Sequence, residues 1–190
     1  MTGENNCVIF SFQFYQSINI ISFPEQKCSV PMAKFTHLDE KNKSRMVDIT
    51  AKEPTVREAH ARGKVLLRPD TVKAIEEDGM AKGDVFGVAK IAGIMNAKKT
   101  SDIIPMCHPL ELTGIDIRFS SNSSRGEIIV ESRVKTFGRT GVEMEALIAV
   151  SAAALTIYDM CKSADKEIVI SDIKLLEKRG GKSGVFVRSE

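Results

Sequence analysis

Asp159 and Lys162 stand three residues apart, closing a run that carries no other charge after Glu145. On a helix that spacing puts a carboxylate and an ammonium on one face. A carboxylate near a helix C-terminus opposes the macrodipole, so something must hold it there. Spacing alone favours a plain i,i+3 ion pair finishing a buried helix. The chemical alternative is a pair at a pocket mouth, where burial and nearby cations bring the lysine pKa toward neutrality for proton transfer. Cys107-His108-Pro109 offers a second group. Adjacent residues in an extended chain face opposite sides, so one of the two points into a given site. His108 can bind a substrate or move a proton, or be a satisfied loop histidine. Cys107 has no strong activating neighbour apart from His108 and reads as a small buried residue.

Glu143-Met144-Glu145 sits where a long helix begins. Acids in a first turn suit the dipole without any function, yet that turn also offers free N–H groups to a polar ligand. The basic groups are Lys82-Gly83-Asp84, Lys98-Lys99-Thr100 and Lys178 to Gly184. Each alone is an ordinary solvated surface, but lysines beside glycines let backbone and ammonium reach a phosphate together. Lys98, Lys99, Lys178, Lys182 and the acid Glu143 are therefore candidate substrate or phosphate contacts. Gly181-Lys182-Ser183 has a Walker A ending, but that pattern needs glycine where Leu176 stands, and no helix follows.

The elements that must hold these groups are legible in the periodicity. Residues 57–67 alternate, with Ala59, Ala61, Val65 and Leu67 on one side and Glu58, His60, Arg62 and Lys64 on the other, which predicts a half-buried strand with a helix as competitor. Pro69 suits a first helical position, and Gly79 closes a helix over Asp70–Asp78. Asp84 caps a second helix whose apolar stripe is Val88, Ile91, Ala92 and Met95, with Gly87, Ala89 and Gly93 marking close packing. Residues 115–119 and 127–137 form a hairpin about the turn 120–126. Thr140-Gly141-Val142-Glu143 is a capping-box sequence opening a helix over 142–162, and a last strand runs from Ile168 to Leu176. The order predicts an α+β, ferredoxin-like split βαβ fold: an antiparallel sheet packed against helices on one face, with an extra helix.

Composition narrows the class. The chain has 190 residues, 43% apolar and 27% charged, enough for one domain with a sizeable core. A net charge of +2 lacks the broad basic footprint of a nucleic-acid binder. No run reaches the ~20 apolar residues of a membrane span. Cys7, Cys28, Cys107 and Cys161 form no CxxC pair, and only three histidines exist, so no metal is expected and free thiols in the cytoplasm fit best. Residues 1–31 hold three of the 52 charges and four of the nine phenylalanines. Lacking a basic n-region and a cleavage site, they read as an upstream, poorly ordered extension before a natural start at Met32, and 32–190 as a single catalytic domain.

Six segments acquire meaning together: Met46-Val47-Asp48, Lys82-Gly83-Asp84-Val85-Phe86, Ile104 to Leu110 (IPMCHPL), Gly141 to Leu147 (GVEMEAL), Ala154 to Lys162 (ALTIYDMCK) and Gly180 to Gly184 (GGKSG). In this order, over about residues 35–187, the chain resembles the molybdenum cofactor biosynthesis protein C family, the cyclic pyranopterin monophosphate synthases. The resemblance implies a lyase that rearranges a cyclised dihydro-GTP, a small nucleotide-derived substrate, to cyclic pyranopterin monophosphate and releases pyrophosphate, with no cofactor. It implies a catalytic carboxylate at Asp159, an essential lysine at Lys162 joined by Lys82, and substrate contacts at Met106, Cys107, His108, Met144 and Glu145. It also implies a homohexamer, a trimer of dimers with sites near subunit interfaces, and no nucleic-acid or membrane partner. An RNA-binding module of this fold would want aromatics where Glu127 and Ile129 stand. The remaining alternative is a non-catalytic nucleotide-binding or regulatory domain.

Overall fold

In β1 (Thr55–Leu66) every second residue from Ala59 to Val65 is buried, and the charged residues between them face the other way. The computed structural model describes residues 43–77, 80–182 and 184–189. The upstream segment and the Gly79 stop therefore lie outside the described residues. After β1 come α1 (Pro69–Glu76), α2 (Val85–Ala97), the short α3 (Thr100–Ile103) and β2 (Leu112–Asn122). A single 3-10 turn leads to β3 (Glu127–Gly138), α4 (Glu143–Cys161), β4 (Val169–Arg179) and β5 (Phe186–Val187). The sheet order is β2-β3-β1-β4-β5, antiparallel at each pairing. The first four strands in the order 2-3-1-4 are the ferredoxin-like arrangement expected from the sequence. Among the described residues the two-residue β5 on the outer edge and the short α3 were not foreseen in the sequence.

The β2–β3 hairpin turns through Gly126, whose φ of 60° and close approach to Leu67 leave no room for a side chain: a Cβ there would sit 2.1 Å from the Leu67 carbonyl oxygen.

One face of the sheet carries α4, through Ala146, Ala149, Val150, Ala153, Ala154 and Ile157, all fully buried. By length and composition α4 is apolar enough to cross a membrane, but half of that stretch is buried against the sheet and α2, as in a core helix. The other sheet face is laced by cross-strand ion pairs such as Lys64–Glu127 at 3.0 Å and Lys135–Glu58 at 3.4 Å.

The helices correct two expectations and bear out a third. The buried side of α2 is Val85, Ala89, Gly93 and Ala97, not the bulkier stripe; Val88, Ile91 and Met95 are exposed. The reason is distance: small residues let α2 lie directly on the alanine-rich back of α4. A Cβ on Gly93 would sit 2.4 Å from Ile117 Cδ1 and 2.8 Å from the Ala149 carbonyl oxygen. Gly93→Ala should therefore lower stability by about 1–3 kcal/mol despite its better helix propensity, read as a fall in Tm; an unchanged or raised Tm would contradict this packing. Asp84 does cap α2, accepting the Gly87 N–H at 2.7 Å. The capping box before α4 does not form. Val142 is the N-cap, with no side-chain cap, because Glu143 points away to Lys178 at 2.9 Å.

Candidate active site

Gly83, in the left-handed region at φ 81°, turns the chain between Lys82 and the Asp84 cap. This delivers the Lys82 ammonium to the end of α4, where it donates to the Asp159 main-chain carbonyl at 2.9 Å and to its Oδ2 at 3.2 Å. Lys162 Nζ donates to Oδ1 of the same carboxylate at 2.6 Å. Asp159 is thus bracketed by two ammonium groups, and that explains a carboxylate at the wrong end of a helix dipole. The Lys162 hydrogen bond, then that of Lys82, holds the Asp159 carboxyl below its ordinary range. Its bond to Asp159 in turn raises Lys162. The i,i+3 ion pair favoured by the spacing forms, and the alternative of a buried lysine near neutrality does not fit, for the three side chains are 45–59% exposed in the single chain. Water screens them, and the slight desolvation of the Lys162 ammonium is outweighed by its bond to Asp159.

At the other end of α4 a cavity of about 420 Å³ opens between the segment after α3, residues 47–52 and the first turn of the helix. Met106, Cys107, His108, Met144 and Glu145 all line it. Cys107 and His108 both face the cavity, contrary to the extended-chain expectation, because the Cys107 N–H bonds back to the Ile104 carbonyl and turns the chain. Glu145 is 4% exposed, and burial pushes its carboxyl above the ordinary range. It therefore keeps its proton to higher pH than a surface glutamate and can donate as well as accept. Burial, then the Glu145 charge, raises the Cys107 thiol, which leaves it a neutral wall rather than a nucleophile.

A smaller cleft of about 170 Å³ adjoins this cavity through Lys52, Thr140, Gly141 and Glu143. Its walls carry Lys52, Arg57, Arg139, Lys178 and Arg179 against Glu58 and Glu143. Lys178 was a candidate from the sequence. Lys98, Lys99 and Lys182 line neither cavity. Arg179 belongs to the basic group Lys178 to Gly184 named from the sequence, whereas Lys52, Arg57 and Arg139 were missed: isolated along the chain, they meet it only because β1 pairs with both β3 and β4, with Thr55 opposite Gly138 and Glu58 opposite Arg179. Among the described residues no cluster of metal-ligating side chains occurs.

A profile of the MoaC family matches residues 46–181, most of the chain and every element around both cavities. The chain belongs to the MoaC family. It is 58% identical over 159 residues to the cyclic pyranopterin monophosphate synthase of Heliobacterium modesticaldum, covering 84% of this chain and 100% of that protein. It is 57% identical over 157 residues to that of Pelotomaculum thermopropionicum, covering 83% of this chain and 92% of the relative. The Clostridium acetobutylicum synthase is 54% identical over 154 residues, 81% of this chain and 96% of its own.

Within this MoaC-family fold the candidate residues fall into two groups. Asp159 stands fourteen positions after Glu145 on one continuous helix, which at about 1.5 Å per residue is about 21 Å. Lys82, Asp159 and Lys162 stand at one end of α4; the cavity and the basic cleft stand at the other. A single chain does not bring them together.

Proposed function

We propose that this chain is a cyclic pyranopterin monophosphate synthase of molybdenum cofactor biosynthesis, converting a cyclised dihydro-GTP to cyclic pyranopterin monophosphate and pyrophosphate. The observation that carries the reading is the pairing of a heterocycle-sized cavity with an adjoining cationic cleft. Met106 and Met144 offer adaptable, polarisable contact to the face of a purine or pterin ring, and Glu145 and His108 offer hydrogen bonds to its edge and to sugar hydroxyls. The phosphates take the cleft of Lys178, Arg57 and Arg139, where cations offset the charge of the departing pyrophosphate.

Closing the cyclic phosphate forms a bond from a substrate hydroxyl oxygen to the α-phosphorus and breaks the bond from that phosphorus to the pyrophosphate oxygen. The hydroxyl proton must go to a base, and the ring rearrangement needs protons delivered elsewhere. Asp159 with Lys162 and Lys82 is suited to both tasks. The Asp159 carboxylate accepts a proton and Lys162 donates one as a coupled acid–base pair, with Lys82 as a second acid or an electrostatic clamp.

The partner that completes the site is a second copy of the chain. A two-fold axis through Ala152, midway between Glu145 and Asp159, sets α4 antiparallel to its copy and brings each Asp159 beside the other chain's Glu145. The exposed side of the helices suits this. Ile148 and Ala152 are half-buried, while Leu155, Val88, Ile91 and Met95 are exposed apolar side chains that lie on α4 and α2. Lys82 and Lys162 then approach Glu143 and Glu145. Three such dimers give the homohexamer, and mass in solution should be about six times 20.9 kDa.

The deciding assay is pyrophosphate release from the cyclised dihydro-GTP by purified protein, with the pterin product followed in parallel. Turnover is the expected result. Tight binding without product would instead favour a non-catalytic nucleotide-binding domain.

A further inference from the structure

Asp165 lies three residues beyond Lys162 in the turn from α4 to β4, and it is a carboxylate only 2% exposed. Its Oδ2 accepts the Arg68 backbone N–H at 2.7 Å and the Thr71 hydroxyl at 3.4 Å. Oδ1 accepts the Glu167 N–H at 3.0 Å and faces the Arg68 guanidinium at 3.7 Å. The same guanidinium donates to the Ala164 carbonyl. Arg68 is the N-cap of α1, and its own side chain does not cap that helix. Asp165 therefore closes the start of α1 from a different part of the fold, and in doing so ties the end of α4 to it.

A cap alone does not call for this arrangement. A buried carboxylate is costly to desolvate, and an apolar filler in such a place is often equally stable. What the latch adds is a fixed backbone under an exposed cluster. The N–H groups of Ala164 and Asp165 both return to the Cys161 carbonyl, at 2.9 and 3.0 Å, so the turn that follows Lys162 is pinned on both sides. Lys82 follows α1 in the chain and reaches back to Asp159. Three long, solvated side chains hold one geometry only if the backbone beneath them does not move. Burial opposes the charge of Asp165, but the two N–H bonds, then Arg68 and Thr71, outweigh it and keep the carboxyl below its ordinary range. Burial first, then the Asp165 charge, pushes the neighbouring Cys161 thiol up to about 11.

We propose that the Arg68–Asp165 latch is a positioning device for the reaction, holding the last turn of α4 so that Asp159 and Lys162 stay in register with Lys82. This rests on Asp159 and Lys162 being the reacting pair. The test uses the full chain and separates kcat from KM for pyrophosphate release in Asp165→Asn, Asp165→Glu and Arg68→Lys, with Asp159→Asn alongside and a thermal melt of each. Asp165→Asn should lose about tenfold or more in kcat with KM within about twofold. Asp165→Glu should recover part of the loss. Arg68→Lys keeps the backbone N–H to Asp165 and removes the guanidinium bonds, so it should show a smaller fall of the same kind; it decides the matter alone if Asp165→Asn does not fold. A wild-type kcat in folded Asp165→Asn, or in Arg68→Lys, with only Tm lowered would overturn the latch while leaving an inactive Asp159→Asn intact. Full turnover in Asp159→Asn would overturn the reacting pair and the latch together.

Discussion

Asp159→Asn should fold as the wild type does, bind the cyclised dihydro-GTP, and release pyrophosphate about 10²–10⁴ times more slowly. Folding is spared because the carboxylate is 59% exposed and makes only screened ion pairs, at the surface of the single chain. Catalysis is not spared. The amide oxygen still accepts one hydrogen bond, but the negative charge that holds two ammonium groups together is gone, and so is the proton acceptor. Single-turnover pyrophosphate release, with substrate affinity measured separately, checks this; a near-normal rate would remove Asp159 from the chemistry.

The pH profile gives the same prediction a second reading. The Asp159 carboxyl lies below its ordinary value and the Lys162 ammonium above its own, so the pair keeps both charges right across the neutral range. Burial holds the Glu145 carboxyl above its ordinary value, so the limb of kcat/KM that it contributes should lie at higher pH than an exposed glutamate would give. Glu145→Gln should abolish the limb. A limb that survives it would place the titration elsewhere.

Alternation and punctuation made most of this architecture readable. The period of two in β1, the Ser/Asn/Gly turn of the β2–β3 hairpin and the Asp84 cap are local signals, and each formed as its residues dictate. The misread features are the ones that depend on what lies across from them. Val88, Ile91 and Met95 have the spacing of a core face, yet Gly93 and Ala89 win the interior because only small residues fit against α4. Glu143 has the spacing of a capping box, yet Lys178, 35 residues on, takes its carboxylate. Arg57 and Arg139 carry no motif at all. They converge because the Arg57 guanidinium donates to the Gly138 and Arg139 carbonyls, a contact set by strand pairing across 81 residues. The Asp159–Lys162 pair was legible because its geometry is that of one helical turn, whereas the 21 Å or so between it and the cavity follows from the length of α4 and says nothing until both ends are identified.

That separation leads to the other large effect. Asp159→Asn and Glu145→Gln should each keep only a small residual rate alone, and a mixture of the two, assembled together, should regain activity far above either. If each site takes its Asp159 end from one chain and its Glu145 end from the other, a mixed dimer holds one site with both lesions and one with neither. Random pairing of equal amounts makes half the dimers mixed, so about a quarter of wild-type turnover should return. Both substitutions are nearly isosteric, and the amide introduced by Glu145→Gln can still hydrogen-bond in the cavity, so the interface should form as before. The measurement is pyrophosphate release after co-assembly, against each variant alone and against a mixture kept from exchanging subunits. Recovery in the exchanged sample only would mean that the two ends of α4 work across a two-fold. No recovery, from variants that still reach wild-type mass in solution, would mean that the two groups serve different sites, and the basic cleft would have to find its reacting carboxylate within its own chain.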